Sequence, residues 1–238
     1  MPSRVNRFAT CYTSRMQDDF LSAVRSFGAS DCAFARVSDG LAGLPFAVSV
    51  AVRLSDAIVD EIDGKPTYTY FNHYRSVNFL IDQILLRTGL WLQDRGARYL
   101  TVAASQSRPD SPYEGRYSHK KAACLSGLGS MGLSGLFVHK AWGPRVRLGT
   151  LFTDWEGLAG ALPAGEVSAV NSAAKSAIPF RHECAKCGLC AKRCPAGAID
   201  VSTGLTARTC SEWMKKEYQS IGRGSVCGIC MAVCPLSC

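Results

Sequence analysis

Two cysteine-rich stretches toward the carboxyl end of the chain share one pattern. Residues 184–195 read Cys-Ala-Lys-Cys-Gly-Leu-Cys-Ala-Lys-Arg-Cys-Pro, which is C-x-x-C-x-x-C-x-x-x-C-P. Residues 227–235 read Cys-Gly-Ile-Cys-Met-Ala-Val-Cys-Pro, the same pattern without its first cysteine. Gly224 stands where that cysteine would be, and Cys210 is the upstream substitute. We interpret this part of the chain as a duplicated thiolate module with one displaced ligand.

The spacing predicts two [4Fe–4S] clusters that exchange their fourth ligands. Two-residue gaps aim three thiolates at one cluster, while the cysteine before proline points at the other cluster. Zinc sites with four cysteine ligands are the alternative. Zinc does not require a pair of C-x-x-x-C-P endings, so the pattern favours iron–sulfur clusters. Cluster one takes Cys184, Cys187, Cys190 and Cys234, and cluster two takes Cys194, Cys210, Cys227 and Cys230.

Composition places these cysteines in an ordered globular protein. The 238 residues are 47% hydrophobic and 19% charged, and no apolar run is long enough for a signal peptide or a membrane span. We therefore expect a cytoplasmic location, where twelve cysteines indicate metal or redox chemistry rather than disulfides. Thiolate clusters reduce the formal charge of +8 to roughly +4, so we expect no nucleic-acid or membrane partner.

The chain before the cysteine module alternates helical and strand patterns. Apolar residues recur at helical spacing over Gln17 to Phe27 and over Tyr74 to Arg95. Phe46 to Leu54 and Arg98 to Ala104 read as strands. This alternation predicts one layered α/β domain, and the whole chain is assigned to the α+β class.

A change of composition marks the domain boundary. Residues 156–180 are rich in Gly, Ala, Ser and Pro and contain few large apolar residues, which is typical of a surface connector. The predicted organisation is therefore a first domain over 1–155, a linker over 156–180 and a ferredoxin-like two-cluster module over 181–238.

A glycine-rich run precedes the boundary. Gly127, Gly129, Gly132 and Gly135 let the backbone approach something flat or bulky. Tight packing of a helix on a sheet would explain these glycines equally well. The run is not a dinucleotide-binding fingerprint, because no strand leads directly into it.

The arrangement of these motifs resembles the epoxyqueuosine reductase and reductive dehalogenase superfamily. Residues 123–132 read A-x-x-x-G-L-G-x-x-G, residues 143–150 read G-P-R-V-R-L-G-T, and the cysteine module follows after a linker. The resemblance extends over about Tyr117 to Pro235. It implies a nitroreductase-like first domain and a cobalamin-dependent reductase.

In this family the glycine loop and the following strand form much of a pocket for base-off cobalamin. The absence of a D-x-H-x-x-G motif fits a cobalt without a histidine ligand from the protein. A side chain at Gly129 is expected to occupy the space of the corrin ring. The resemblance assigns the pocket to Gly127, Leu128, Gly129, Gly132, Arg145, Val146 and Leu148.

The family's catalytic acid lies upstream of the glycine loop. Counting back from Gly127 reaches Tyr113 and Glu114, with Tyr117 as a third candidate. A buried tyrosine stays protonated at neutral pH, whereas a glutamic acid does so only if burial raises its pKa. These three residues are the predicted proton donors.

Three functions remain open from the sequence. The first is a reductase that acts on a small-molecule substrate and receives electrons from a low-potential donor such as ferredoxin or flavodoxin. The second is a protein that binds or reduces a corrinoid for a partner corrinoid protein, and the third is a two-cluster electron carrier. Nitroreductase-like domains often pair, so we also consider a homodimer, by analogy alone.

Overall fold

The computed structural model describes residues 4–109, 114–159, 182–222 and 226–237, with side chains from Arg15 onward. None of the helices in these ranges has the length and apolar composition needed to cross a membrane. In chain order, the elements are α1 (Arg4–Ser26), β1 (Asp31–Arg36), β2 (Phe46–Arg53), α2 (Asp56–Asp60), α3 (Tyr68–Gln93), β3 (Tyr99–Val102), α4 (His119–Leu125), β4 (Gly129–Met131), β5 (Phe137–His139), β6 (Val146–Thr153), α5 (His182–Cys187), α6 (Leu189–Lys192), β7 (Ile199–Asp200), β8 (Gly204–Leu205), α7 (Ala207–Tyr218) and α8 (Ile229–Ala232).

A four-stranded sheet with the order β1-β2-β6-β3 forms the centre of the first domain. All neighbouring strands are antiparallel, and β2 pairs with β6 along its whole length, from Phe46 opposite Thr153 to Arg53 opposite Val146. Every residue of β2 except Arg53 is buried, which explains its nearly continuous apolar sequence. The prediction of a mixed helix and strand domain is confirmed.

Helix α3 covers one face of this sheet. It begins at Tyr68, six residues before the predicted start, because the Thr67 hydroxyl caps the helix by accepting a hydrogen bond from the Tyr70 amide at 3.1 Å. Ile81 and Leu85 contact β6 at Gly149, where an added Cβ would overlap Ile81. The glycine therefore allows the helix and the strand to approach closely.

The core continues past the predicted end of the first domain. Phe20, Trp91 and Trp155 form a ring cluster with centroid distances of 5.1 to 5.5 Å. Leu158 is fully buried, and Gln17 donates a hydrogen bond to the Gly157 carbonyl. Residues 156–158, at the start of the predicted linker, therefore contact α1 and continue the core of the first domain, while the domain boundaries stay a prediction. From residue 160 to residue 180 the predicted linker lies outside the described residues.

The cysteine module shares the core of the first domain. Ile229 and Met231 of α8 are buried in the same cluster as Ile62 and Tyr70. Helix α8 also contacts α2. The module is therefore packed into the first domain rather than attached only by the chain between them.

Candidate functional site

A cavity of about 180 Å³ lies between the β4–β5 hairpin and the cysteine module. This volume is more than ten times the roughly 15 Å³ that one bound water requires, so the cavity fits a polyatomic cluster. Gly132, Leu133, Ser134, Val138 and Pro144 line it from the first domain. From the cysteine module, the lining thiols are Cys184, Cys187, Cys190, Cys230 and Cys234.

The thiols predicted for cluster one influence one another electrostatically. Burial is the main cause that raises the pKa of Cys190, and the neighbouring thiols of Cys184 and Cys234 raise it further. Burial also raises the pKa of Cys234, with Cys184 and Cys187 acting in the same direction. Their mutual influence shows that these four thiols lie close together.

The thiols predicted for cluster two form a more deeply buried group. Burial, followed by Cys210 and Cys194, raises the pKa of Cys227 to about 11. Burial, followed by Cys227 and Cys210, raises the pKa of Cys230 to about 12, and Cys190 also contributes. Within the described ranges, no three His, Cys, Asp or Glu side chains are placed to share a single metal ion. The ligand sets themselves stay a prediction.

Both copies of the cysteine pattern use the same turn. Gly188 and Gly228, each directly after a cysteine, have φ values of 60° and 78° and begin α6 and α8. L-residues rarely adopt this left-handed conformation, which explains glycine at both positions. The two short helices contact each other, so the duplication in sequence has a counterpart in the backbone.

The predicted corrinoid-binding glycines differ in their surroundings. A Cβ at Gly127 would meet nothing within 4 Å, although the φ of 75° disfavours a side chain there. Gly132 lines the thiol cavity. A Cβ at Gly129 would overlap the Val138 carbonyl of β5. The expected clash with a corrin ring is wrong for Gly129, because the pairing of β4 with β5 already occupies that space.

The other residues assigned to the corrinoid pocket are buried. Leu128, Val146 and Leu148 pack in one apolar cluster with Ala123 and Phe137. As described, these three side chains support the fold around the glycine loop. Their role in cofactor binding stays a prediction.

Arg145 joins β6 to α2. Its side chain is 9% exposed, and it contacts Asp56 Oδ1 at 3.1 Å and Asp60 Oδ1 at 2.7 Å, while its buried Nε has no hydrogen-bond partner. Its charge also acts on the Cys234 thiol and opposes the increase in the pKa of that group. Arg145 therefore holds α2 beside the predicted position of cluster one.

Arg147 lies two residues further along β6 and contacts α3. Its Nε donates to Asn78 Oδ1 at 2.9 Å, and its Nη2 donates to the Tyr74 hydroxyl at 3.2 Å. Burial raises the pKa of Tyr74, but the Arg147 charge and hydrogen bonds from Ser105 and Asn78 bring it below its ordinary value. The pair is a candidate for proton transfer that the sequence pattern did not indicate.

Two further nitrogen groups lie near Arg147. Lys120 Nζ donates to the Gly135 carbonyl at 2.7 Å. The ring of His119 contacts Thr150 Oγ1 at 2.9 Å and the Ala103 carbonyl at 3.1 Å. Burial, together with the Arg147 charge, lowers the pKa of both side chains. The surroundings of His119 therefore favour a neutral imidazole.

The predicted proton donors have other surroundings. Tyr113 lies outside the described residues, and Glu114 is exposed. The Tyr117 hydroxyl donates to Asp39 Oδ1 at 3.1 Å, and Lys121 binds the other Asp39 oxygen at 2.6 Å. Burial and Asp39 raise the pKa of Tyr117, so its phenol remains protonated. The hydrogen bonds of Tyr117 are separate from those described for Tyr74.

No protein-family profile matches the sequence, and no curated protein sequence matches it. Solved structures do match. The catabolic reductive dehalogenase NpRdhA in complex with 3-bromo-4-hydroxybenzoic acid is 16% identical with a TM-score of 0.67, and the match covers 91% of this chain and 31% of that chain. Epoxyqueuosine reductase from Streptococcus thermophilus is 16% identical with a TM-score of 0.60, covering 93% and 66%.

A third structure belongs to a study of B12-dependent dehalogenation, with 15% identity and a TM-score of 0.65 over 90% of this chain and 30% of that chain. The chain thus spans about a third of the dehalogenases and about two thirds of the epoxyqueuosine reductase. At sequence identities this low, the structural match establishes the fold alone. The chain therefore has the fold shared by reductive dehalogenases and epoxyqueuosine reductases, the superfamily that its motifs resemble.

Proposed function

We propose that the chain is a cobalamin-dependent iron–sulfur reductase with a nitroreductase-like first domain and a ferredoxin-like module carrying two [4Fe–4S] clusters. The observation that supports the proposal is the close approach of the motif cysteines to one another in a chain whose fold is shared with a reductive dehalogenase from a study of B12-dependent dehalogenation. When bound, the clusters supply single electrons and the base-off corrinoid supplies a strongly reducing cobalt. The substrate is a small molecule that undergoes reductive bond cleavage.

The difference in burial between the two thiol groups gives electron flow a direction. Cys187 of the first group is exposed, whereas burial is the main cause of the raised pKa of Cys230 in the second group. The thiols of Cys230 and Cys227 also influence buried Tyr70, whose ring centroid lies 6.5 Å from that of Tyr74. Cluster one would then be held by the outer thiols, and cluster two by the thiols that lie toward Tyr74.

Tyr74 and Arg147 provide the proton for the reduced product. Tyr74 holds a proton on its phenolic oxygen, and the guanidinium of Arg147 donates to that oxygen. A positive charge at this position stabilises the phenolate that remains after proton transfer. Arg147 and Lys120 form no ion pair with a described carboxylate, so they also attract an anionic substrate or product.

The test is anaerobic reconstitution with iron, sulfide and hydroxocobalamin, followed by assays of methyl viologen oxidation with organohalide and epoxide substrates. Tyr74→Phe should lower turnover by about a hundredfold or more without slowing cobalt reduction. Tyr117→Phe is the parallel test of the donor predicted from the sequence, because it removes a half-buried phenol that bonds to Asp39 in a separate network; a loss of turnover in this variant alone would assign the proton to Tyr117.

Three results would contradict the proposal. Tight binding of flavin in place of corrinoid would indicate an ordinary nitroreductase-like flavoprotein. Stoichiometric zinc without iron would exclude both clusters. Cobalt reduction without turnover of any substrate would indicate the alternative function, a protein that binds or reduces a corrinoid for a partner.

A further inference from the structure

One motif cysteine reaches the surface at an apolar spot. Of the eight cysteines assigned to the clusters, only Cys187 is exposed. The adjacent side chain of Leu189 is 40% exposed, and that of Val201 is 50% exposed. Val201 lies against the turn between these residues, since a Cβ at Gly188 would lie 3.4 Å from its Cγ1. Leu189 also lines the cavity, so two partly exposed apolar side chains lie beside Cys187, at the predicted position of cluster one.

Three exposed cations follow the same short stretch of chain. Lys186 precedes Cys187, while Lys192 ends α6 and Arg193 follows it. None of the three forms an ion pair with a described carboxylate. In contrast, the basic residues Arg208 and Lys216 of α7 are paired with Glu212 and Glu217. Within the described part of the chain, the charges beside the apolar spot therefore differ from those of α7 in having no carboxylate partner.

The acidic residues near this surface are already engaged. Asp200 Oδ1 accepts hydrogen bonds from the amides of Ser202 and Thr203 at 2.8 and 2.9 Å, which folds it into its own turn. Glu183 also has an interaction of its own. The surface thus combines an apolar centre with three exposed cations that form no ion pair with a described carboxylate, an arrangement that suits a transient complex with an acidic protein.

We propose that the surface formed by Cys187, Leu189, Val201, Lys186, Lys192 and Arg193 is the docking site of an acidic, low-potential electron-carrier protein. The inference rests on the proposed function, because it requires cluster one at Cys187. The carrier donates one electron and is oxidised, cluster one is reduced by that electron, and no covalent bond forms or breaks. Close approach at Cys187 gives the electron a short path into the protein.

The experiment is stopped-flow reduction of the reconstituted protein, monitored by bleaching of the clusters, so that neither corrinoid nor substrate is needed. The probes are a reduced plant-type [2Fe–2S] ferredoxin, which is acidic, and reduced methyl viologen, which is cationic. Lys186→Glu combined with Lys192→Glu should slow reduction by ferredoxin at least tenfold at low ionic strength, and added salt should diminish the difference. Reduction by viologen should not slow.

Arg87→Glu, which changes an exposed residue of α3, is the matched control and should leave the ferredoxin rate unchanged. Equal slowing by this control, or an unchanged rate in the double variant, would overturn the proposal. Loss of corrinoid retention in Leu189→Asp would show that the apolar spot faces the cofactor instead. Weakened binding of an RNA stem-loop with unchanged ferredoxin kinetics would identify a nucleic-acid surface. Absence of iron would contradict the cluster assignment itself.

Discussion

The exchange of fourth ligands between the clusters can be tested by combining cysteine substitutions. The thiol of Cys194 influences Cys210, Cys227 and Cys230, although Cys194 is contiguous in sequence with the first motif. Cys194→Ala should therefore remove cluster two. Of about eight irons per chain, about four should remain, and absorbance from the clusters should fall by about half.

Double variants distinguish crossed ligands from uncrossed ligands. If the sets are crossed, adding Cys210→Ala to Cys194→Ala changes the iron content little, because both residues serve cluster two. Adding Cys187→Ala should instead remove the remaining irons. The measurements are iron and sulfide content and electron paramagnetic resonance after reduction, with far-UV circular dichroism to confirm folding.

The opposite pattern would refute the reasoning. If Cys194 and Cys187 serve the same cluster, their double variant retains about as much iron as either single variant. The combination of Cys194→Ala with Cys210→Ala then loses both clusters. That result would mean that the proximity of Cys194 to the second thiol group does not reflect ligation.

Three other predictions follow from the first domain. Arg147→Gln removes the charge that lowers the pKa of Tyr74, so the phenol should titrate at higher pH in ultraviolet difference spectra; an unchanged midpoint would contradict the assignment. Gly149→Ala places a methyl group against α3 and should lower the free energy of unfolding in urea by about 1–3 kcal/mol, whereas full stability would mean that the helix readily shifts. Partial burial raises the pKa of Asp39, but Lys121 and Tyr117 lower it overall. Lys121→Gln should therefore reduce the free energy of unfolding by under ~1 kcal/mol at neutral pH. This difference from the unsubstituted protein should vanish as the pH falls through the folded-state pKa of Asp39.

The cysteine module was predictable because its information is local. Two-residue gaps with glycine after the second cysteine dictate a turn, as the left-handed Gly188 and Gly228 show. The amphipathic face of α3 was equally readable, since Ile81 and Leu85 recur at helical spacing and contact the sheet. The start of that helix was misplaced by six residues, because its cap at Thr67 lies before the apolar pattern, and its end by two.

The candidate proton-transfer pair was not predictable in the same way. Tyr74 and Arg147 lie 73 residues apart in sequence and meet only because α3 packs across β6. An arginine among apolar residues of a strand was visible, but its partner on the helix was not. Gly129 was misread for a related reason: its neighbour Val138 is brought close by a hairpin of three-residue strands, too short for the sequence pattern to reveal.

The burial of Ile229 and Met231 in the same core as Ile62 and Tyr70 affects how abundant the protein is in the cell. Ile229 lies between Cys227 and Cys230, and Met231 lies directly after Cys230. If these cysteines bind cluster two as proposed, insertion of the cluster and completion of the hydrophobic core are linked. Iron starvation should therefore deplete the polypeptide itself, because the apoprotein exposes apolar surface that proteases and chaperones recognise. Supply of clusters would then set the abundance of the protein as well as its redox state.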